Sequence, residues 1–129
     1  MRLIVAGGRD FSDKKLMQEA LNDYTFDTTS LEIVSGTAKG ADSLGAQLAR
    51  ANNIPVKEFP ADWQDMSEPC VKRFNGYGTY NALAGMKRNH QMGDYATHLI
   101  AFWDGKSTGT KDMIEYMRSL NKPFKVIGY

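Results

Sequence analysis

The segment Leu3-Ile4-Val5-Ala6-Gly7-Gly8-Arg9-Asp10 decides the fold of this 129-residue chain. Its first four residues are apolar, and a glycine pair ends the run, which is typical of a short buried strand. Similar runs recur along the chain and alternate with segments whose apolar residues have helical spacing. The predicted strands are Leu3–Ala6, Leu31–Ser35, Ile54–Phe59, Thr97–Phe102 and Lys125–Ile127, and the predicted helices are Ser12–Tyr24, Ala41–Arg50, Asn81–Asp94 and Gly109–Leu120.

This alternation predicts an α/β fold: a single doubly wound Rossmann-like domain over residues 1–129, with helices on both faces of a five-stranded parallel sheet. We expect the strand order 3-2-1-4-5 with right-handed crossovers. The topological switch then lies between the first and fourth strands. Ligands of such sheets bind outside the carboxyl ends of the strands at that crevice.

Composition excludes several classes of function. Sixteen Lys and Arg residues against fifteen Asp and Glu residues give a net charge of +1, so duplex DNA is not an expected partner. One cysteine, Cys70, and two histidines offer no metal-ligand set, and no cofactor is evident. No apolar run approaches the ~18 residues of a membrane span, so we expect a cytoplasmic protein without membrane contact.

Residues 60–80 have no clear hydrophobic period and are predicted to form an insertion loop or lid, because long structureless segments are unusual in compact domains. Within them, Lys72–Tyr80 mixes basic and aromatic side chains. A lid or a subunit contact is the favoured interpretation over a nucleic-acid contact. A homo-oligomer therefore stays open.

Three glycine-rich loops follow the first, second and fourth predicted strands: Gly7–Asp10, Ser35–Asp42 and Trp103–Thr110. Glycine lets the backbone approach a ligand and donate N–H groups, and a helix N-terminus favours an anion. Arg9 and Lys39 would complete a phosphate site. Neither the P-loop pattern nor G-x-G-x-x-G is present, so an ordinary NAD enzyme or P-loop ATPase is not supported.

Five motifs follow one another along the chain: Gly7-Gly8-Arg9-Asp10-Phe11, Ser35-Gly36-x-Ala38-x-Gly40-Ala41-Asp42, Phe59-Pro60-Ala61-Asp62-Trp63, Arg88-Asn89-x-x-Met92 and Ala101-Phe102-Trp103-Asp104-Gly105-x-Ser107-x-Gly109-Thr110. Together they resemble the YspA-type branch of the SLOG superfamily, whose Rossmann-like domains are related to the DNA-processing protein DprA and to the LOG phosphoribohydrolases. The resemblance implies a nucleotide or nucleotide-derived ligand at the crevice.

The predicted ligand-binding residues combine these loops with the helix that precedes the fourth strand. Arg88 is predicted to hold phosphate with its planar guanidinium. Trp103 would stack on a base and Asp104 would read an amino group, although core packing of Trp103 is an equal alternative. The full set is Gly7, Gly8, Arg9, Ser35, Gly36, Ala38, Lys39, Gly40, Asp42, Arg88, Asn89, Trp103, Asp104, Gly105, Ser107, Gly109 and Thr110.

The catalytic glutamate of LOG enzymes falls at Met113 here, and methionine cannot stabilise an oxocarbenium-like charge. Catalytic residues therefore stay unknown, with Arg88, Asp42 and Asp104 as candidates. The favoured function is a nucleotide-binding sensor or adaptor. Two alternatives stay open: a nucleotide N-glycoside hydrolase, and a DprA-like module that binds single-stranded DNA.

Other polar residues have structural interpretations. Asp10 is expected to cap the first helix, with Ser12 as its N-cap, and Asp112 and Glu115 to lie on a solvated face. The role of Asp42, as a ligand contact or as a first-turn carboxylate, is left open. His90 is expected to be a surface or partly buried histidine.

If Arg88 is a ligand contact, its replacement by alanine should leave folding nearly unchanged and weaken binding. The alternative is a surface pair of Arg88 with Asp94 or Glu115, which would contribute at most ~1 kcal/mol.

Overall fold

The structure is a computed structural model that describes residues 1–24 and 30–129. Within them lie seven strands and four helices. Five of the strands alternate with the helices as the sequence predicts for an α/β fold, and the other two form a separate hairpin. The strands are β1 (Arg2–Gly7), β2 (Glu32–Ser35), β3 (Val56–Glu58), β4 (Lys72–Phe74), β5 (Thr79–Asn81), β6 (His98–Trp103) and β7 (Phe124–Gly128), and the helices are α1 (Lys14–Tyr24), α2 (Ala41–Ala51), α3 (Ala84–Tyr95) and α4 (Thr108–Ser119).

The main sheet has five parallel strands in the order β3-β2-β1-β6-β7. Because β6 and β7 are the fourth and fifth predicted strands, the predicted order is confirmed. The register of β1 on β6 ends with Gly7 opposite Phe102, so the carboxyl ends of these two strands lie side by side. The topological switch point is therefore where the sequence places it.

Alternate residues of β1 enter two separate cores, one on each face of the sheet. Leu3 and Val5 pack with residues of α1 and α2, whereas Ile4 and Ala6 pack with residues of α3 and α4. This alternation follows from the two-residue period of a strand. Helices therefore cover both faces, which confirms the doubly wound arrangement.

The segment 60–80 differs from the structureless loop that its sequence predicts. Strands β4 and β5 form an antiparallel hairpin, with Lys72 opposite Asn81 and Phe74 opposite Thr79. All three residues of β4 are exposed, and the one buried residue of β5, Asn81, is polar, so the hairpin leaves no alternating hydrophobic pattern. The sequence also predicts α3 from Asn81, but Asn81 belongs to β5 and α3 begins at Ala84.

Asn81 holds this segment against the rest of the domain. Its side chain is fully buried and makes four hydrogen bonds to the backbone. Oδ1 accepts from the N–H groups of Val71 (3.1 Å) and Leu83 (2.9 Å), and Nδ2 donates to the carbonyls of Asp65 (3.0 Å) and Pro69 (3.3 Å). One amide side chain thus satisfies backbone groups that the short strands leave unpaired.

No helix in the part of the chain that the structure describes is long and apolar enough to cross a membrane.

Candidate functional site

A cavity of about 690 Å³ opens at the carboxyl edge of the sheet, where β1 and β6 end. Its volume lies within the roughly 300–1,000 Å³ typical of small-molecule sites. Many of the predicted ligand-binding residues form its wall. These are Gly7, Gly8, Arg9, Ala38, Asp42, Arg88, Asn89, Asp104, Ser107, Gly109 and Thr110.

Other predicted residues, all of them described, lie outside this wall. Lys39 is exposed to solvent, and Ser35 is buried, where its hydroxyl accepts a hydrogen bond from the Thr37 N–H at 3.2 Å. Trp103 is half-buried, and its Nε1 donates to the Ser107 carbonyl at 3.0 Å. The indole therefore fastens the loop between β6 and α4. The residues outside the wall are Ser35, Gly36, Lys39, Gly40, Trp103 and Gly105.

The first two glycine loops are packed against each other, and this contact uses backbone groups that were predicted to face a phosphate. The Ala41 N–H, at the start of α2, donates to the Gly8 carbonyl at 3.2 Å, and the Gly8 N–H donates to the Phe102 carbonyl at 3.1 Å. Gly40 has φ = 79°, and a Cβ there would collide with the backbone of Arg9. Glycine at position 40 is therefore required by the loop contact as well as by the turn.

The carboxylate of Asp42 occupies the centre of the second loop. Asp42 is only 5% exposed, and burial raises its pKa to about 6. The positive charge of Arg88 and the backbone N–H groups of Ala38, Gly36 and Asp42 itself oppose that increase. The side-chain carboxylate of Asp42 thus accepts hydrogen bonds from backbone N–H groups of the loop that was predicted to bind a ligand's phosphate. A buried carboxyl whose pKa is raised toward neutrality, in a cavity wall, is a candidate acid or base.

Arg88 reaches the same loop from α3. Its Nη1 donates to the Gly36 carbonyl, and its Nε donates to Asn89 Oδ1 at 3.1 Å. Burial lowers the pKa of Arg88 and the nearby charge of Arg9 lowers it further, whereas Asp42 raises it. The alternative of a surface pair with Asp94 or Glu115 is wrong.

The carboxylates of that rejected alternative have other partners. Asp94 accepts a hydrogen bond from the Tyr116 hydroxyl at 2.6 Å, and Glu115 pairs with Arg118 at 2.7 Å.

Arg9 approaches the cavity from the loop after β1. It is exposed, and among the residues that the structure describes it forms no salt bridge. Arg9 and Arg88 are close enough for the charge of one to lower the pKa of the other. Two neighbouring guanidinium groups, one without an acidic partner, form an arrangement suited to an anion.

The loop after β6 is shaped by Asp104. Its Oδ1 accepts hydrogen bonds from the N–H groups of Lys106 (2.8 Å) and Ser107 (2.9 Å), and these hold the pKa of Asp104 below its ordinary value. Ser107 then caps α4, because its side chain accepts from the Thr110 N–H. The first turn of α4 consequently faces the cavity with Thr108, Gly109 and Thr110.

Asp112 lies in the cavity wall rather than on the solvated face that the sequence predicts. Its Oδ2 accepts a hydrogen bond from Asn89 Nδ2 at 3.2 Å, and its Oδ1 lies 3.4 Å from His90 Nε2. The His90 ring is stacked on Tyr116 with centroids 3.9 Å apart. The adjacent Met113 is almost fully buried and also contacts the cavity.

Asp10 has a role that differs from the predicted cap of α1. Its Oδ1 accepts a hydrogen bond from the Tyr129 hydroxyl at 2.6 Å, and Asp10 lines the cavity. Burial and this bond raise the pKa of Tyr129 to about 12. The side chain that caps α1 is Asp13, whose Oδ1 accepts from the Leu16 N–H at 3.0 Å, in place of the predicted Ser12.

One wall of the cavity consists of residues outside the predicted ligand-binding set. It is an apolar surface from the segment 60–80, the link that follows β5 and the start of α3, and it includes Trp63, Ala82, Gly85 and Met86. Trp63 occurs in one of the motifs quoted above, which is the signal that would have identified it. Its position also depends on a backbone bond from the Asn81 N–H to the Trp63 carbonyl (2.8 Å), which no sequence pattern reveals.

A comparison with curated proteins found no match. The model of one family, described as the YspA, cpYpsA-related SLOG family, matches residues 1–65, which include the first two glycine loops and Trp63. Half of the chain is covered by this match, and the fold agrees with it. The chain belongs to the YspA, cpYpsA-related SLOG family.

Proposed function

We propose that the cavity binds a nucleotide or a nucleotide-derived molecule and that the protein acts as a sensor or adaptor for it. Membership of the SLOG family suggests a nucleotide-related function. The observation that carries the proposal is the pair of guanidinium groups, Arg9 and Arg88, at the switch point of a doubly wound sheet. Ligands of such sheets bind at that point.

The charges of the wall favour a ligand with few phosphates. Two arginines face four carboxylates, so a chain of phosphates would meet net negative charge. A single anionic group between the arginines, with hydroxyl or amino groups donating to the carboxylates, matches this distribution better. The carboxylates are Asp10, Asp42, Asp104 and Asp112.

A matched pair of substitutions tests the anion site. Arg9 lines the cavity, whereas Lys39 is an exposed cation outside it on the neighbouring glycine loop. The panel for thermal shift and calorimetry consists of nucleoside monophosphates, ADP-ribose derivatives and cyclic dinucleotides. A ligand at 100 times its Kd should stabilise the wild type by about 2.7 kcal/mol.

The expected result is binding that Arg9→Gln weakens by about 10-fold or more and that Lys39→Gln leaves within about twofold, since loss of one charge-assisted hydrogen bond costs about 1.5–3 kcal/mol. A flat response of the wild type across the panel would reject the proposal. Equal losses of affinity in Arg9→Gln and Lys39→Gln would show that the ligand is attracted by the overall positive charge and not by a specific anion site.

A second candidate function is hydrolysis of a nucleotide N-glycosidic bond, and the pKa of Asp42 is the observation that favours it. A carboxyl with a pKa of about 6 can donate or accept a proton near neutral pH. Incubation with nucleoside monophosphates, followed by chromatography for free base, tests this activity. Release of base by the wild type and its loss in Asp42→Asn would support hydrolysis, and no release at high protein concentration would contradict it.

A further inference from the structure

We propose that Trp63 is the surface on which the aromatic base of the ligand stacks, so that the site binds an intact nucleotide more tightly than a base-free sugar phosphate. This inference rests on the proposed nucleotide-binding function and assigns the base-recognising wall of the same cavity. Trp63 lines the cavity from outside the glycine loops, in the segment 60–80, which the sequence predicts to be an insertion loop or lid.

The indole of Trp63 is accessible and lies in the cavity wall. Its side chain is 40% exposed, a large fraction for a tryptophan that contacts its own domain. Trp103 differs, because it lies outside the wall and its Nε1 is bonded to the Ser107 carbonyl. Of the two tryptophans in the chain, Trp63 is therefore the one that offers a ring to a ligand.

Trp63 is restrained at its backbone and at its ring. The backbone carbonyl of Trp63 accepts from the Asn81 N–H at 2.8 Å, and the Tyr80 ring packs against the indole with centroids 6.2 Å apart and an angle of 73° between the ring planes. A ring that is restrained before binding loses less conformational freedom on stacking.

Because Gly85 has no side chain, the space between the indole of Trp63 and the guanidinium of Arg88 stays open. A Cβ atom at Gly85 would lie 3.6 Å from Trp63 Cη2 and 3.9 Å from Arg88 Nη2. The aromatic wall and the guanidinium thus flank the same point of the cavity. A ligand that reaches both needs a flat apolar ring and a nearby anionic group, which a nucleoside monophosphate has.

Stacking does not identify the base, because every nucleobase has a π face. The probes are therefore the four common ribonucleoside 5′-monophosphates, with ribose 5-phosphate as the probe that lacks a base. Three variants of the full chain are measured by calorimetry: Trp63→Leu, Trp63→Phe and Gly85→Ala.

We expect Trp63→Leu to weaken the best monophosphate by about 5- to 150-fold, since one base stacked on an aromatic side chain contributes about 1–3 kcal/mol. The affinity for ribose 5-phosphate should stay within about twofold, and Trp63→Phe should recover most of the lost affinity. Equal loss of both probes in Trp63→Leu, or no recovery in Trp63→Phe, overturns the assignment of Trp63.

Gly85→Ala tests the same space without replacing any residue of the segment 60–80. The added methyl would make ordinary van der Waals contacts, and alanine is favoured over glycine within a helix, so folding should be maintained. We expect weaker monophosphate binding without a lower melting temperature. Unchanged affinity in Gly85→Ala overturns the inference.

The two proposals fail in different ways. If the wild type binds none of the monophosphates, this inference is rejected, and the nucleotide site is rejected with it only when the ADP-ribose derivatives and cyclic dinucleotides also fail to bind. If the wild type and Trp63→Leu bind a monophosphate equally tightly, the nucleotide site is retained and the stacking surface alone is rejected.

Discussion

The guanidinium of Arg88 and the carboxylate of Asp42 meet at Gly36, where a Cβ atom would lie 2.9 Å from Arg88 Nη1 and 2.6 Å from Asp42 Oδ2. The two charged groups come from α3 and α2, on opposite faces of the sheet. The absence of a side chain at position 36 allows their approach. The cation that is proposed to bind the ligand is thus already coupled to a buried acid of the chain itself.

Replacement of Gly36 by alanine should separate this pair. Both distances to the added Cβ are below those of ordinary contacts, and neither neighbouring group is free to move away, because Asp42 is buried and Arg88 is bonded to the Gly36 carbonyl. Overpacking of this kind costs about 1–3 kcal/mol of unfolding free energy. Urea unfolding measures it, with Gly128→Ala, where a Cβ meets open space, as the control. Equal stability of the two variants would contradict this packing.

The pKa of Asp42 should make stability depend on pH in a defined window. Its pKa is about 6 in the folded protein against 3.8 for the free side chain, so its contribution to stability is present below about pH 4 and lost as the pH rises through 6. The loss amounts to about 3 kcal/mol at pH 8. Asp42→Asn removes this ionisation, so its stability relative to wild type should increase by that amount between pH 4 and 8.

Urea unfolding of both proteins at intervals of one pH unit measures the difference, which cancels the contributions of other groups. Asp23→Asn, at an exposed carboxylate near the end of α1, is the control and should run parallel to wild type. A curve for Asp42→Asn that also runs parallel would show that Asp42 is not a desolvated acid.

The effect of removing Arg88 should depend on the charge of Asp42. The sequence predicts that Arg88→Ala leaves folding nearly unchanged. In the structure, however, the positive charge of Arg88 stabilises the ionised form of Asp42 and so opposes the increase in its pKa that burial causes. At pH 8, Arg88→Ala should therefore destabilise the wild-type background more than the Asp42→Asn background, with a coupling energy of about 0.5–3 kcal/mol.

A double-mutant cycle at pH 8 and at pH 4 measures this coupling. At pH 4 the carboxyl of Asp42 is protonated in the folded protein, so the coupling should largely disappear. A coupling energy of the same size at both pH values would mean that packing around Gly36, and not the charge of Asp42, causes the coupling.

The sequence predicted the sheet because the signals of its strands are local. Leu3–Ala6 is a continuous apolar run, and the glycines after it mark the carboxyl edge, so strand order and the site's place in the fold followed from general rules. The hairpin of β4 and β5 was missed for the opposite reason. Its strands are short, β4 is exposed throughout, and the buried residue of β5 that holds the hairpin in place, Asn81, is polar.

The candidate site was predicted less completely than the fold. The N–H groups of Gly8 and Ala41 are ones that the sequence pattern assigns to a ligand, but in the structure they donate to the carbonyls of Phe102 in β6 and of Gly8, respectively. The two tryptophans were equally visible in the sequence, yet only Trp63 lines the cavity. Contacts between residues far apart in the sequence decide which groups face the cavity, and local sequence patterns do not predict such contacts.

Removal of the Asn81 side chain should release the segment 60–80 and, with it, the aromatic wall of the cavity. Asn81→Ala leaves the N–H groups of Val71 and Leu83 and the carbonyls of Asp65 and Pro69 without their partner. These bonds are partly buried, and a backbone group left unpaired away from water costs about 1–3 kcal/mol, so we expect the four together to lose at least ~2 kcal/mol in unfolding free energy, or the segment to open locally. Limited proteolysis between residues 60 and 80, together with urea unfolding, separates these two results.

The control is Asn75→Ala in the exposed turn of the same hairpin, where Asn75 Oδ1 accepts only a local bond from the Tyr77 N–H at 3.0 Å. It should leave both stability and cleavage close to those of wild type, because solvent can replace that bond. Monophosphate affinity should fall in Asn81→Ala and not in Asn75→Ala, since Asn81 also fixes the backbone of Trp63. Resistance of Asn81→Ala to cleavage, at wild-type stability, would mean that the segment is held by contacts other than this buried amide.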